Sequence, residues 1–249
     1  MLANVIQALE GDSSEGGALR AAVVAAVMAV VIGVPLFVMW RRYKRERDRL
    51  RRFAERHGSK LIEYDDGRIR RAARGLRGFT GWKTFGGEDN PAEDVIPFRL
   101  ANASGLQAFF FVAEMPTRRD HTRRFEVLLV ELGRDDGLGW SGVEARVSFG
   151  VDPLQRFWNE EWSDVGSADL QREFIVTGDS EEFARARLSP RVERLILDAE
   201  QKLGFRPGVQ WGGAKLAVYP SRWGAKISDE EALDALVEFA SALAEEGRA

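Results

Sequence analysis

The sequence predicts an α+β protein with one N-terminal transmembrane helix, a basic juxtamembrane helix and a mostly antiparallel sheet with helices packed on it. Residues 21–40 contain no charged side chain. After residue 58, short runs typical of strands come first and helical patterns cluster late, which favours α+β over a doubly wound parallel sheet. The predicted segments are 1–20 outside, 21–40 in the membrane, 41–58 as the basic helix and 59–249 as one cytoplasmic domain.

The uncharged stretch runs from Ala21 to Trp40. As a helix rising about 1.5 Å per residue it reaches roughly 30 Å, the thickness of the hydrocarbon layer of a bilayer. A signal peptide would have a basic start, whereas Glu10, Asp12 and Glu15 precede this stretch. A helix in a soluble core would keep one polar side. The stretch therefore predicts a membrane anchor.

Charge predicts the orientation of this anchor. Residues 41–74 hold fourteen Lys or Arg against six Asp or Glu, a balance of +8, while residues 1–20 balance at −2. The positive-inside rule then places the N-terminus outside and the large domain in the cytoplasm. Since the whole chain carries −3, residues 75–249 carry −9. We call the basic residues 41–58 the collar and the predicted domain that follows them the head. The head is acidic.

Composition excludes several kinds of site. The chain has no cysteine, which rules out disulfides, thiolate catalysis and Cys-based metal sites. His57 and His121 are its two imidazoles, too few for a His-cluster metal site or a catalytic triad built on this chain alone. We therefore predict no catalytic residue, no metal and no cofactor.

Apolar residues near the N-terminus recur with helical spacing, at Leu2, Val5, Ile6 and Leu9. This stripe predicts a short outer helix that docks on a partner or lies on the membrane. A frayed tail of no importance is the alternative reading.

The collar predicts a continuous helix up to Gly58, with charges that pair along its sides. Its first basic residues, Arg41, Arg42, Lys44 and Arg45, are predicted to lie at the membrane surface. There they attract anionic lipid by about 1 kcal/mol for each well-placed cation. Their role as a topology signal is by itself a sufficient explanation for them.

The head is predicted to start with strands. The expected strands cover residues 60–64, 95–100, 107–112, 125–132 and 143–149. Three consecutive phenylalanines, Phe109 to Phe111, predict a strand that is covered on both faces of the sheet.

A basic hairpin tip is predicted between two of these strands. It carries Arg118, Arg119, Arg123 and Arg124 together with His121. Such a tip could meet the membrane or an anionic ligand, and a solvated loop is the alternative. It lacks the interleaved aromatic residues typical of nucleic-acid binding, so no nucleic acid is expected as a partner.

The second half is predicted to be more helical. Residues 171–177 are predicted as a strand, followed by a helix that starts at residues 178–180. Ser189 as N-cap and Pro190 at the first helical position begin the next helix, which Gly204 closes.

A closing hairpin, residues 209–211 and 215–219, is then predicted around Gly212 and Gly213. Ser228 and Glu231 predict a capping box for the last helix. Its expected inward stripe is Leu233, Leu236, Val237, Ala240 and Leu243.

Glu160, Glu161 and Asp164 form an acidic cluster. The first two lie between Trp158 and Trp162, and Asp164 follows shortly after Trp162. Paired carboxyl groups can perform acid–base catalysis where burial separates their pKa values. An exposed acidic loop that docks on a basic partner is the alternative, and we assign Trp158, Glu160, Glu161 and Trp162 to partner binding.

Two motifs resemble a known group of proteins. The collar ends in AERHG at residues 54–58, and Phe174, Val176 and Asp179 precede Phe183-Ala184 and the run 188–191, LSPR. The chain resembles a broad group of uncharacterised bacterial single-pass membrane proteins with a cytoplasmic α+β domain. The resemblance implies the architecture and a location in the plasma (inner) membrane of a bacterium, and it transfers no catalytic residue.

Three functions remain open from the sequence. The first is a membrane-tethered, non-enzymatic interaction module, such as an accessory or scaffold subunit of a larger membrane complex, whose partners are membrane lipid and another membrane protein. The second is a lipid-sensing domain at the cytoplasmic face. The third is a hydrolase that uses the carboxylates at residues 160–164.

Overall fold

A computed structural model describes residues 14–64, 67, 69, 92–101, 105–116, 122–133, 139–145, 165–221, 227 and 229–247. The chain divides into two compact units, residues 1–49 and residues 50–249. The second unit is the head, which in the structure begins at residue 50. Each unit is described by itself.

The first helix, α1, spans Ser14–Arg56. It begins before residue 21 and continues through Pro35 and through most of the collar, so the apolar stretch and the basic stretch belong to one helix. From residue 25 to residue 45 all of its residues are exposed. Of the helices that the structure describes, α1 is long and apolar enough to cross a membrane.

The described residues of the head form one antiparallel sheet of eight strands in the order β1-β2-β3-β4-β8-β7-β5-β6. The strands are β1 Ile62–Tyr64, β2 Ala92–Arg99, β3 Gln107–Pro116, β4 Thr122–Glu131, β5 Ser141–Ala145, β6 Phe174–Gly178, β7 Pro207–Trp211 and β8 Lys215–Pro220. Together with the helices, this antiparallel sheet confirms the predicted α+β class.

Among the described residues, four shorter helices follow in the second half of the head. They are α2 Ala168–Glu173, α3 Glu181–Arg187, α4 Pro190–Leu203 and α5 Glu230–Glu246. The caps of α4 are those that the sequence predicts: the Ser189 side chain accepts a hydrogen bond from Val192 N, and Gly204 ends the helix with φ 70°.

Two local predictions are wrong. Within residues 171–177, predicted as strand, the chain is helical up to Glu173 because Ser167 caps α2 and Leu170 anchors it in the core. The N-cap of α5 is Asp229 rather than Ser228, since the Asp229 carboxylate accepts a hydrogen bond from Ala232 N at 2.9 Å. A carboxylate at this position also interacts favourably with the helix dipole.

The sheet has a hydrophobic cluster on each face. The larger one lies between the sheet and the helices, where Phe110 packs with residues such as Ile196 and Leu236. The smaller one, on the other face, contains Phe109 and Phe111. The three phenylalanines are therefore covered on both faces, as predicted.

The last turns of α1 belong to the core of the head. Leu50, Phe53 and Ala54 are at most 1 % exposed. The Phe53 ring meets Phe98 edge-on at 5.6 Å between centroids and lies 5.8 Å from Phe110. These contacts bury the apolar side of the helix end against strands β2 and β3.

Polar contacts join the same helix end to the first turns of α5. Arg52 pairs with Glu230 at 2.6 Å, and Arg56 pairs with Glu230 at 3.0 Å and with Asp234 at 3.1 Å. The His57 ring packs on Phe53, and burial lowers the pKa of His57 while nearby Asp234 opposes the shift. The cations are partly exposed, so each pair contributes little stability by comparison with the burial of Phe53.

Candidate functional site

A row of side chains crosses three strands on the face of the sheet that carries the smaller cluster. Val143 on β5 pairs with Val209 on β7, and Gly208 pairs with Tyr219 on β8. Continuing this register by one residue brings Glu144 level with Gly208. A Cβ at Gly208 would overlap the Tyr219 ring, so the missing side chain lets the tyrosine reach across β7 to Glu144.

Two hydroxyl groups bind the Glu144 carboxylate. The Tyr219 hydroxyl donates to Oε1, and Ser221 Oγ donates to Oε2 at 2.7 Å. Ser221 Oγ in turn accepts a hydrogen bond from Ala145 N at 2.7 Å. Both carboxylate oxygens are thus hydrogen-bonded from β8 and the residue that follows it.

The contacts continue away from the carboxylate through a buried glutamine. Gln210 Nε2 donates to the Tyr219 hydroxyl at 2.7 Å, and Trp140 Nε1 donates to Gln210 Oε1 at 3.2 Å. Gln210 and Tyr219 are fully buried and Trp140 is nearly so. We call Trp140, Glu144, Gln210, Tyr219 and Ser221 the Glu144 network.

A second glycine makes room for this network. A Cβ at Gly142 would lie 3.2 Å from Cζ2 of Trp140 and 3.5 Å from Cγ of Gln210. Gly142 pairs with both Gln210 on β7 and Thr177 on β6. The hydroxyl of buried Thr177 makes no hydrogen bond with any residue in the described part of the chain.

Burial changes the acidity of two members of the network. It raises the pKa of Glu144 from 4.5 to about 7, although the hydrogen bonds from Ser221 and Tyr219 act in the opposite direction. Burial and the nearby Glu144 charge also raise the pKa of the Tyr219 hydroxyl well above 10. Near neutral pH the network therefore contains one carboxyl group that can exchange a proton and one phenol that keeps its proton.

The structure shows four of the residues predicted to lie at the membrane surface. Arg41, Arg42, Lys44 and Arg45 are all exposed on α1. Lys44 Nζ lies 5.5 Å from the centroid of the Trp40 ring, a cation–π contact. These residues form one basic band just after the apolar part of the helix.

The other predicted site residues are described only in part. Arg123 and Arg124 belong to β4, where they pair with Met115 and Glu114 of β3, so the prediction that they lie in the tip is wrong and they lie within the ladder. The side chains of these two arginines fall outside the described residues. The other predicted site residues lie wholly outside them: Leu2, Val5, Ile6, Leu9, Arg118, Arg119, Trp158, Glu160, Glu161 and Trp162. Their predicted roles stay predictions.

Sequence reasoning missed the Glu144 network. One signal was available, because the predicted hairpin around Gly212 and Gly213 already places Gly208 opposite Tyr219. That Glu144 joins them depends on the pairing of β5 with β7, which are far apart in the chain. Among the described residues, no group of three or more His, Asp or Glu side chains could hold a metal ion.

No protein-family model, curated protein or solved structure matches this chain. The resemblance to a group of bacterial single-pass membrane proteins is therefore still a prediction, and function has to be argued from this chain alone.

Proposed function

We propose that the chain is a membrane-tethered, non-enzymatic interaction module, an accessory or scaffold subunit of a larger membrane complex. One observation carries the tether. Every exposed large hydrophobic side chain among the described residues lies between Val23 and Tyr43 on α1. An apolar surface of this length is unstable in water and suits a bilayer interior.

The charges support the proposed orientation. Residues 41–45 follow the apolar stretch directly and contain four basic side chains and no acidic one. Residues 41–74 together carry +8. Under this proposal α1 spans the inner membrane once, with the N-terminus outside and the head in the cytoplasm. The exposed ring of Trp40 then lies at the cytoplasmic interface, where tryptophan is enriched.

The tether is tested by placing charge in the middle of the apolar stretch. We expect the wild-type chain to stay with membranes after alkaline carbonate washing. Val30→Arg together with Val31→Arg should move it to the soluble fraction, while Val30→Leu with Val31→Leu should not. Reporter fusions at each end test the orientation. If a C-terminal reporter that works only outside the cytoplasm is active, the proposed orientation is wrong.

The interaction module is tested by cross-linking in native membranes followed by mass spectrometry, after extraction in a mild detergent. We expect stoichiometric cross-links to one membrane complex from the N-terminal stripe, residues 2–9, or from the acidic cluster, residues 158–162. Glu160→Gln with Glu161→Gln should weaken the cross-links from the cluster, and Glu238→Gln, which changes an exposed side chain of α5, is the matched control. A chain that is recovered alone and monomeric would overturn the proposal.

The exposed basic band favours lipid sensing as a second candidate function. Four cations in five residues, each worth about 1 kcal/mol near an anionic surface, would enrich anionic lipid around the helix. Native mass spectrometry of the extracted chain should then show retained phosphatidylglycerol. Replacing Arg41, Arg42, Lys44 and Arg45 by Gln should remove this lipid, and replacing exposed Arg194 and Lys202 should not. Equal lipid retention by both variants would exclude this function.

A further inference from the structure

The directions of the hydrogen bonds in the Glu144 network are fixed by chemistry. The Trp140 indole can only donate, so the group that it meets must be the oxygen of the Gln210 amide. The Gln210 nitrogen therefore faces Tyr219 and donates to its hydroxyl. With that donor in place, the tyrosine proton points at Glu144.

The serine branch has the same polarity. Ser221 Oγ accepts from the backbone N–H of Ala145, so its own proton is directed at Glu144 Oε2. Both branches end on the carboxyl group, which is the terminal acceptor of the network. Two hydroxyl donors and no competing acceptor stabilise an ionised carboxylate.

The surroundings of Glu144 oppose ionisation. Glu144 is half-buried, and it makes no ion pair with any residue that the structure describes. On the neighbouring strands, neutral Ile175 of β6 and Gly208 of β7 stand beside it. Among the described residues, Tyr219 of β8 is the titratable group that faces it, and it is neutral. Partial burial with no cation beside it among the described residues favours the protonated acid, so the two forms lie close in free energy.

We propose that Glu144 is a proton-binding site of the head, which takes up one proton from solvent as the pH falls through neutrality and releases it above. The added proton turns the carboxyl group from an acceptor into a donor on one oxygen. Ser221 Oγ has a lone pair left to accept it, and the serine proton must then turn away. Proton binding thereby rearranges the residue that follows β8, while the branch through Tyr219, Gln210 and Trp140 keeps its direction. This inference does not depend on the membrane tether.

Infrared difference spectroscopy on the full chain in lipid nanodiscs tests the proposal. Between pH 5 and pH 9 we expect the C=O stretch of one protonated carboxyl group to titrate with a midpoint near 7. The band should be absent in Glu144→Gln and unchanged in Glu238→Gln, which alters an exposed carboxylate of α5. A band that survives in Glu144→Gln, or a midpoint below about 5 as for an ordinary carboxyl group, would overturn the proposal.

The two hydroxyl donors provide an independent signature. Since each stabilises the ionised form, Tyr219→Phe and Ser221→Ala should each raise the midpoint, by on the order of one pH unit. Ser221 is partly exposed, so Ser221→Ala retains the fold even if Tyr219→Phe does not. A midpoint that stays unchanged in the folded Ser221→Ala variant would contradict the proposed hydrogen-bonding scheme.

Discussion

At the scale of single residues, Glu144 makes stability depend on pH. Its pKa of about 7 in the folded head lies above the value of 4.5 expected in the unfolded chain, so the folded state holds the proton more tightly. This stabilisation is fully present below pH 4.5 and is lost as the pH rises to 7. The difference of about 2.5 pH units corresponds to roughly 3 kcal/mol.

We expect Glu144→Gln to remove most of this pH dependence. The amide cannot ionise, and it still offers an oxygen to Tyr219 and a donor to Ser221. The loss in free energy of unfolding between pH 5 and pH 8 should shrink by up to about 3 kcal/mol relative to the wild type. Urea unfolding at both pH values measures the change. An equal pH dependence in the two proteins would show that Glu144 is ionised throughout.

Gly208 is the residue whose substitution should most directly disturb the network. A methyl group there would overlap a tyrosine ring that is fully buried and hydrogen-bonded to two partners, so the ring cannot move aside. Gly208→Ala should destabilise the head by about 1–3 kcal/mol. Gly247→Ala is the matched control, since its Cβ would meet its nearest atom at an ordinary 3.5 Å. Similar unfolding midpoints for the two variants would refute this account of Gly208.

At the scale of elements, Phe53 is the largest side chain that the end of α1 buries in the head core. Phe53 is fully buried against Phe98 and Phe110. Phe53→Ala should therefore lower the free energy of unfolding of the head by about 3–5 kcal/mol. Phe37→Ala removes a ring that is 57 % exposed on the same helix and should leave the unfolding of the head unchanged. Chemical denaturation of the detergent-extracted chain distinguishes the two. Equal effects would mean that Phe53 contributes no packing energy.

The hairpin of β7 and β8 and helix α4 are the elements that the sequence predicts best. Their signals are local: Gly212 and Gly213 mark the turn, and Ser189, Pro190 and Gly204 mark the helix ends. The sequence does not predict the end of α2, because the apolar run Phe174 to Val176 is typical of a strand and no local signal separates it from residues 171–173. A cap at Ser167 and the burial of Leu170 favour a helical turn there, and both depend on the folded surroundings.

At the scale of the whole molecule, the compact head begins at residue 50 rather than after the collar. A fragment that starts at residue 46 keeps Leu50, Phe53 and Ala54, which are buried in the larger cluster. We expect it to be soluble and folded. A fragment that starts at residue 59 lacks all three and should unfold at a markedly lower temperature. Equal melting temperatures would show that the helix end is dispensable to the head.

The sequence by itself determines the long apolar helix, the basic stretch that follows it and the α+β class, because length, charge and hydrophobic period act along contiguous residues. The tertiary structure decides that the end of α1 is part of the head core and that Glu144, Gln210 and Tyr219 meet on one face of the sheet. The contacts of Glu144, Gln210 and Tyr219 join residues up to 75 positions apart, and Arg52 near the end of α1 contacts a residue 178 positions away. They depend on strand order and register, which arise when the whole sheet assembles and which no local pattern encodes.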